Sequence, residues 1–493
     1  MKTSNPLLSK RAWSKAILTP AQEFSLTPLP IIQGKIPPGL RGTLYRNGPG
    51  KLERNGVRVG HWFDGDGAIL AVHFTPPSPG DKGGVTATYR YVQTAGYQEE
   101  EAANEYLYGN YGMTPKGPFW QRGKRQVKNA ANTSVLALPD KLLALWEGGF
   151  PYALDLQTLE TKGIDDLNGL KKGFPYSAHY KTDPRTGFIY NFGVTPGATT
   201  QLNIYKSDAS GNILQITHTP LEGVPLLHDF VLAGPYLVFF ISPVYISLFP
   251  ILFGWKSYCD SMQWKPELGT KILIFDCETL SLVSQGETDP WYQWHFANGY
   301  VDEEGFIIVD FARYDDFSTN ERLREVAMGE THTMAESTLW RVSIDPQTAL
   351  IKSNEQLLDR SCEFPIVSPF DVGQKHRYIY LSLHGKNVDP CQELYNAIAC
   401  FDTETHRLTE RDFGENCYPM EPIFVPDALD PKQGWLLTVV YDGNIDKSFV
   451  WVLDAQGCEA FGVPLGRDRA PLCILELPHV VPMGFHGTWK PAS

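Results

Sequence analysis

One short pattern recurs along this chain: an apolar run, an aspartate, then a turn holding Thr or Gly. It reads "YALDLQT" at Asp155, "LIFDCET" at Asp276, "VSIDPQT" at Asp345, "ACFDTET" at Asp402 and "WVLDAQG" at Asp454, with a looser copy at "NIYKSDASG". The last four aspartates are separated by 69, 57 and 52 residues, near the length of one four-stranded blade. Each copy predicts a hairpin whose Asp-containing turn joins two outer strands, repeated around a ring.

A second pattern interleaves with the first, a turn followed by an apolar strand: "DPRTGFIYNFG" at 183–193, "DEEGFIIVDF" at 302–311 and "DPKQGWLLTVVY" at 430–441. Two hairpin signals per period, few long helical stretches and Gly/Pro-rich connections predict an all-β chain folded as a β-propeller. A pair of β-sandwiches would explain the strands but not their common phase. The 493 residues would suggest two to four domains in an ordinary fold, whereas a closed repeat ring absorbs them into one. We therefore expect a basic amphipathic arm over 1–25 and a single propeller domain over 26–493. A propeller that closes by pairing strands from both chain ends would also tie down residues 470–490.

Composition excludes several partners. Formal net charge is −13 with acidic residues spread along the chain, so no basic face is available for nucleic acid. The eight cysteines form no CxxC pair and no regular spacing, which speaks against a zinc ribbon or a disulfide framework and for reduced thiols in the cytoplasm. The first twenty residues carry Lys2, Lys10, Arg11 and Lys15 among Leu, Trp and Ile, without the continuous apolar core of a signal peptide. Residues 236–255, "YLVFFISPVYISLFPILFGW", hold no charge over twenty positions, close to the length of a membrane-spanning helix. Pro243 and Pro250 argue against one continuous helix; a buried strand over 236–241 followed by an interfacial patch is expected instead.

Of twelve histidines, eight lie beside charged or turn residues or on strands without a partner. The other four share a place in the repeat. His179 ("YSAHYKTDPRTG"), His228 ("LLHDFVLAGPYLVFF") and His295 ("QWHFANGYVDEEG") each precede a turn and strand, and His486 in "GFHGTW" is the last such position. Glu363 ("CEFPIVSP") and Glu421 ("MEPIFVP") take the same phase in other periods. Equivalent positions of successive blades point at one axis, so residues scattered over three hundred positions can meet there. Four neutral imidazoles would leave a divalent ion its full charge and two open positions in octahedral geometry, which suits oxygen binding better than a closed structural site. The glutamates would accept from imidazole N–H groups and turn the other nitrogens toward the metal. Asp64 and Asp66 in "FDGDG" lack the further acids of a calcium loop and read as a Gly-rich turn.

With these residues in place, the chain resembles the carotenoid cleavage oxygenases of the bacterial or cyanobacterial type, nearly end to end. The resemblance runs through "GTLYRNGPG", "GHWFDGDGAI", "KNAANTSV", "LWEGG", "SAHYKTDP", "LLHDF", "HFANGY", "CEFP", "MEPIFVP" and "GFHGTW" in order. It implies a seven-bladed propeller with loops and short helices capping the top face, and Fe(II) on the axis held by His179, His228, His295 and His486. It implies that Glu147, Glu363 and Glu421 face His228, His295 and His486 respectively, leaving His179 without an acid. Glu147 has no place in the repeat-derived set and enters through the resemblance alone, as does Thr133 in "ANTS", which matches a threonine shielding one open iron position.

The implied activity is O2-dependent cleavage of a carotenoid or apocarotenoid C=C bond into two carbonyl products, one oxygen atom in each. A substrate dissolved in a bilayer would make the enzyme peripheral and monotopic, docked through 236–255 and the N-terminal arm. Aromatic residues make up 12% of the chain, and some are expected to line a tunnel for a rigid polyene. The rivals are a stilbene- or phenylpropene-cleaving oxygenase on the same fold, a retinoid isomerase, a propeller that binds carotenoid without turnover, and a propeller hydrolase. The last would want a carboxylate or serine beside the metal.

Overall fold

The computed structural model describes residues 11–75, 84–118, 127–431, 433–455 and 471–492. Period-2 apolar strands with polar turns between them give antiparallel sheets: five of four strands, one of five and one of six, beside two small hairpins. In the four-stranded sheets the strands pair in chain order, interrupted in one of them by the hairpin Val244–Ile246/Met262–Trp264, so each of these sheets is a local meander. The fold is an all-β propeller.

Four of the five recurring aspartates do the same thing in their sheets; the turn after Asp454 lies outside the described residues. Asp155 Oδ1 accepts from the backbone N–H groups of Gln157 and Thr158 and from the Thr158 hydroxyl; Asp276 does so from Glu278 and Thr279. Asp345 and Asp402 cap their turns on Gln347 and on Glu404 and Thr405. These turns join the last two strands of their sheets, as the pattern predicts. Leu159, Leu280 and Ala349 close three of them at positive φ. A left-handed L-residue costs about 1 to 2 kcal/mol. Leu159 and Leu280 are at most 1% exposed, and burial of a leucine contributes about 1.5 to 3 kcal/mol, so the side chain outweighs the backbone strain.

The two chain ends close the ring in both directions. The last strand, Gly487–Pro491, pairs with Gly42–Lys51 in the five-stranded sheet, while Ile31–Gly34 pairs with Cys473–Glu476 in the six-stranded one. Gly48 and Gly484 meet backbone to backbone; a Cβ on Gly48 would stand 2.4 Å from the Gly484 Cα. Residues 470–490 are thereby anchored where described, as expected of a terminus that carries a histidine.

Edge strands of neighbouring sheets touch one another. Ser134–Ala137 meets Gly487–Pro491, which meets Ile423–Pro426, and Val231–Ala233 meets Phe296–Val301, which meets Cys362–Ile366. These edge strands surround the axis. The helix Thr319–Met328, ended by Gly329 at φ 79°, packs on the short 3-10 turn Trp62–Asp64 above them.

Two expectations change in detail. Within the N-terminal arm, Trp13, Ala16 and Ile17 are buried in the core and Arg11 pairs with Glu393 at 3.1 Å, so the apolar side of the described arm faces the protein. Burying an indole is worth more than leaving it at a surface. Lys2 and Lys10 lie outside the described residues. Among the cysteines, 259, 277, 362, 391, 417 and 473 are free, Cys400 is disulfide-bonded and Cys458 lies outside the described residues. Spacing alone cannot report which thiols a fold brings together, and Cys400 departs from the expectation of thiols throughout.

Candidate metal centre

Each singled-out residue sits beside the edge strand of a different sheet, which is why one phase in the sequence becomes one place in space. His179, His228, His295 and His486 precede the edge strands Lys181–Thr182, Val231–Ala233, Phe296–Val301 and Gly487–Pro491. Their ligand nitrogens all lie within 4.8 Å of one another. The Nε2 atoms of His228 and His295 are 3.3 Å apart, and those of His295 and His486 3.1 Å. Two imidazole nitrogens bound at right angles about 2.1 Å from one ion would be roughly 3.0 Å apart, so these spacings fit adjacent positions of a single metal. His179 Nε2 is buried and has no hydrogen-bond partner among the described residues, the state of a ligand atom awaiting its ion.

Three carboxylates stand behind the ring. Glu363 Oε2 lies 2.6 Å from His295 Nδ1, Glu421 Oε1 lies 2.9 Å from His486 Nδ1, and Glu147 Oε1 is in contact with His228 Nδ1. Each pair leaves Nε2 facing inward. Burial alone would suppress a charged His295, and the Glu363 carboxylate overrides it and raises the pKa. Burial and the neighbouring imidazoles hold His179, which lacks such a partner, well below the ordinary histidine range. Burial likewise lowers His486 against the opposing pull of Glu421. Neutral imidazoles are the form a metal requires.

Thr133 borders the same space. Its hydroxyl donates to Asn132 Oδ1 at 3.0 Å and its carbonyl accepts from the His486 N–H at 3.2 Å, so it also seats the last ligand.

Several contributors escape sequence reasoning. Arg46 is 2% exposed and donates to the Glu421 carbonyl at 2.8 Å, to Glu421 Oε2 at 3.1 Å and to the Phe485 carbonyl at 3.2 Å. Tyr314 donates to Glu363 Oε1 at 3.3 Å. Phe364 stacks on His295 with ring centroids 5.0 Å apart while its own backbone sits at φ 52°. A non-glycine at positive φ beside a site is a mark of constraint, invisible before the fold is known. Trp294 meets His228 edge-on at 4.7 Å.

A cavity opens onto three of the ligands, His228, His295 and His486, and is walled by apolar groups including Trp62, Phe63, Trp294, Phe364, Met420 and Phe485. It is roofed in part by the helix Thr319–Met328. Its lining has the apolar character of a site for an extended apolar ligand.

Fold and site together define a class: a propeller with a four-histidine, three-glutamate centre on its axis. Residues 18–491 match the family model described as "Retinal pigment epithelial membrane protein", and the chain belongs to that family, the carotenoid oxygenases. It is 32% identical to the apocarotenoid-15,15'-oxygenase of Synechocystis sp. over 98% of this chain and 96% of that one. It is 27% identical to resveratrol cleavage oxygenase 1 of Aspergillus fumigatus, over 93% and 91% of the two chains. The structure superposes on cobalt-substituted Synechocystis apocarotenoid oxygenase with a TM-score of 0.85 at 31% identity, covering 98% of both chains.

Proposed function

We propose that this protein is a non-haem Fe(II) dioxygenase that cleaves a C=C bond of a carotenoid or apocarotenoid to give aldehyde or ketone products. The observation that carries the reading is the convergence of four imidazole nitrogens within 4.8 Å at the end of an apolar cavity. The relatives' oxygenase names support the same chemistry. We read each of the seven larger sheets among the described residues as one blade of a seven-bladed ring.

His179, His228, His295 and His486 would hold the metal. Fe(II), when bound, would activate O2 toward an alkene; the overall change, C=C plus O2 to two C=O groups, balances without any other reductant. Glu147, Glu363 and Glu421 fix which nitrogen of their histidines faces inward, and Thr133 would shield one open position of a bound metal. The aromatic and Met walls exclude water and hold the polyene in one register, so that one double bond lies at the centre. No general base is required of any side chain.

Phe249, Leu252, Phe253 and Trp255 are 60%, 57%, 45% and 61% exposed, an apolar patch around the helix Leu248–Leu252. No helix among the described residues is long and apolar enough to cross a membrane. We read the patch as peripheral, monotopic docking to the bilayer from which the substrate is drawn. This favours a lipid-dissolved polyene over a stilbene. Six free thiols among the described residues, against the single disulfide-bonded Cys400, favour a cytoplasmic location.

The test is incubation of the Fe(II)-reconstituted protein under ¹⁸O2 with β-carotene, a hydroxylated carotenoid, an apocarotenal and resveratrol. Labelled carbonyl products from a polyene are expected. Products from resveratrol alone would transfer the reading to a stilbene-cleaving oxygenase, and none from any substrate, with iron bound, to carotenoid binding without turnover.

A further inference from the structure

Three of the four histidines have a carboxylate on Nδ1; His179 does not. The acid that faces it is Asp229, whose Oδ1 stands 3.9 Å from His179 Nδ1, beyond hydrogen-bond reach. Lys181 Nζ holds that same oxygen at 2.8 Å. The Asp229 side chain is 2% exposed, and its remaining contacts are to backbone: Oδ1 accepts from the Phe230 N–H at 2.8 Å and Oδ2 from the Phe296 N–H at 3.2 Å.

Those two amides are not arbitrary. Asp229 follows His228 directly in the chain, and Phe296 follows His295. One buried carboxylate therefore touches the backbone beside two ligands and faces the ring of a third. An ionised carboxylate has about four acceptor sites. The Phe230 amide and Lys181 both fall on Oδ1, the oxygen nearest His179, so the carboxylate acts on that imidazole through its charge and not through a hydrogen bond.

We infer that Asp229 is a positioning residue of the metal centre: it ties together the segments bearing His228 and His295 and sets its charge against His179 in place of the missing glutamate. Lys181 determines how much of that charge the centre feels, because it sits on the same oxygen. The inference rests on the metal-centre reading above and goes beyond it by giving the fourth histidine a charged neighbour.

A plain backbone pin and a charged partner differ in what Lys181 should do. If Asp229 only pins two amides, removing Lys181 leaves metal affinity unchanged or lowers it through damage. If its charge reaches the centre, removing the competing cation strengthens metal binding, while neutralising the carboxylate weakens it.

The experiment is equilibrium competition for Co(II) between the metal-free full-length protein and a chromophoric chelator, with thermal melts of the metal-free proteins as a check on folding. Asp229→Asn should weaken Co(II) binding about tenfold, the lower end for a group acting through a ligand, and Lys181→Met should tighten it roughly threefold. A folded Asp229→Asn protein with unchanged affinity overturns the inference, and so does Lys181→Met with affinity unchanged or lowered. Should Asp229→Asn fail to fold, Lys181→Met decides alone. A wild-type protein that binds no Co(II) would sink the metal-centre reading itself, a result distinct from wild-type binding that neither variant alters.

Discussion

Arg46 stands in register opposite Gly487, so the pairing of the first and last strands carries its guanidinium to Glu421 and Phe485. Burial would push the Glu421 carboxyl up, but His486 and Arg46 hold it below the usual range. Replacing Arg46 by Met strips a buried carboxylate of its cation and is expected to lower the unfolding free energy of the metal-free protein by about 3 to 5 kcal/mol in denaturant titration. Asp64 shows the opposite balance. It caps the turn that places Trp62 and Phe63 in the cavity wall, accepting from the His61 and Gly112 amides, yet burial raises its pKa from 3.8 to about 7. Between those values the folded protein keeps a proton the unfolded chain has lost, so this group's contribution to stability falls as pH rises, by up to about 1.4 kcal/mol per pH unit. In Asp64→Asn that slope, read from urea melts at pH 4.5 to 7, should flatten. The histidines were legible because their residue type and phase coincide; Glu147 needed the family resemblance. Arg46, Asp229 and Phe364 carried no local signal, since each acts through a neighbour more than forty residues distant or through its backbone angle.

Among the elements, the uncharged stretch 236–255 divides by environment. Tyr236–Ile241 is a buried strand, Val244–Ile246 a short edge hairpin strand, and Leu248–Leu252 a one-turn helix whose rings look outward. Pro243 and Pro250 interrupt what would otherwise read as one segment. Phe249, Phe253 and Trp255 pack against one another with centroids 4.7 to 5.7 Å apart, Phe253 stacked on Trp255 and Phe249 edge-on to it, a preformed apolar knob. Phe249→Ser with Phe253→Ser should reduce flotation with phosphatidylcholine liposomes several-fold while leaving bound metal unchanged. Equal flotation of variant and wild type would remove the membrane role from this knob. The Asp turns, by contrast, were readable outright, because the aspartate and the amides it binds lie within three residues of each other.

At the scale of the molecule, ring closure and the metal centre are one event. Residues 487–491 supply the strand on Gly42–Lys51, and His486 is set by the Asn47 amide on its carbonyl at 2.8 Å and the Thr133 carbonyl on its amide at 3.2 Å. Deleting residues 486–493 should therefore abolish metal binding and also lower the melting temperature of the metal-free protein. His486→Ala, which keeps the strand, should lose the metal with little change in that melt. Similar metal-free melts for the deletion and His486→Ala would mean that the closing strand contributes little.

What the sequence by itself determined was periodic or local: an all-β repeat, its Asp-capped turns, four histidines and two glutamates in phase, and an uncharged stretch too broken for a spanning helix. Such features survive in one dimension because the hydrogen bonds behind them join near neighbours, or because each blade repeats the same position. Only the tertiary structure decided which nitrogen each carboxylate meets, that Asp229 faces His179 with Lys181 upon it, that Trp13 turns inward, and how the cavity wall is assembled. Those are distances between blades, set by packing of whole sheets around an axis, and no spacing along the chain encodes them.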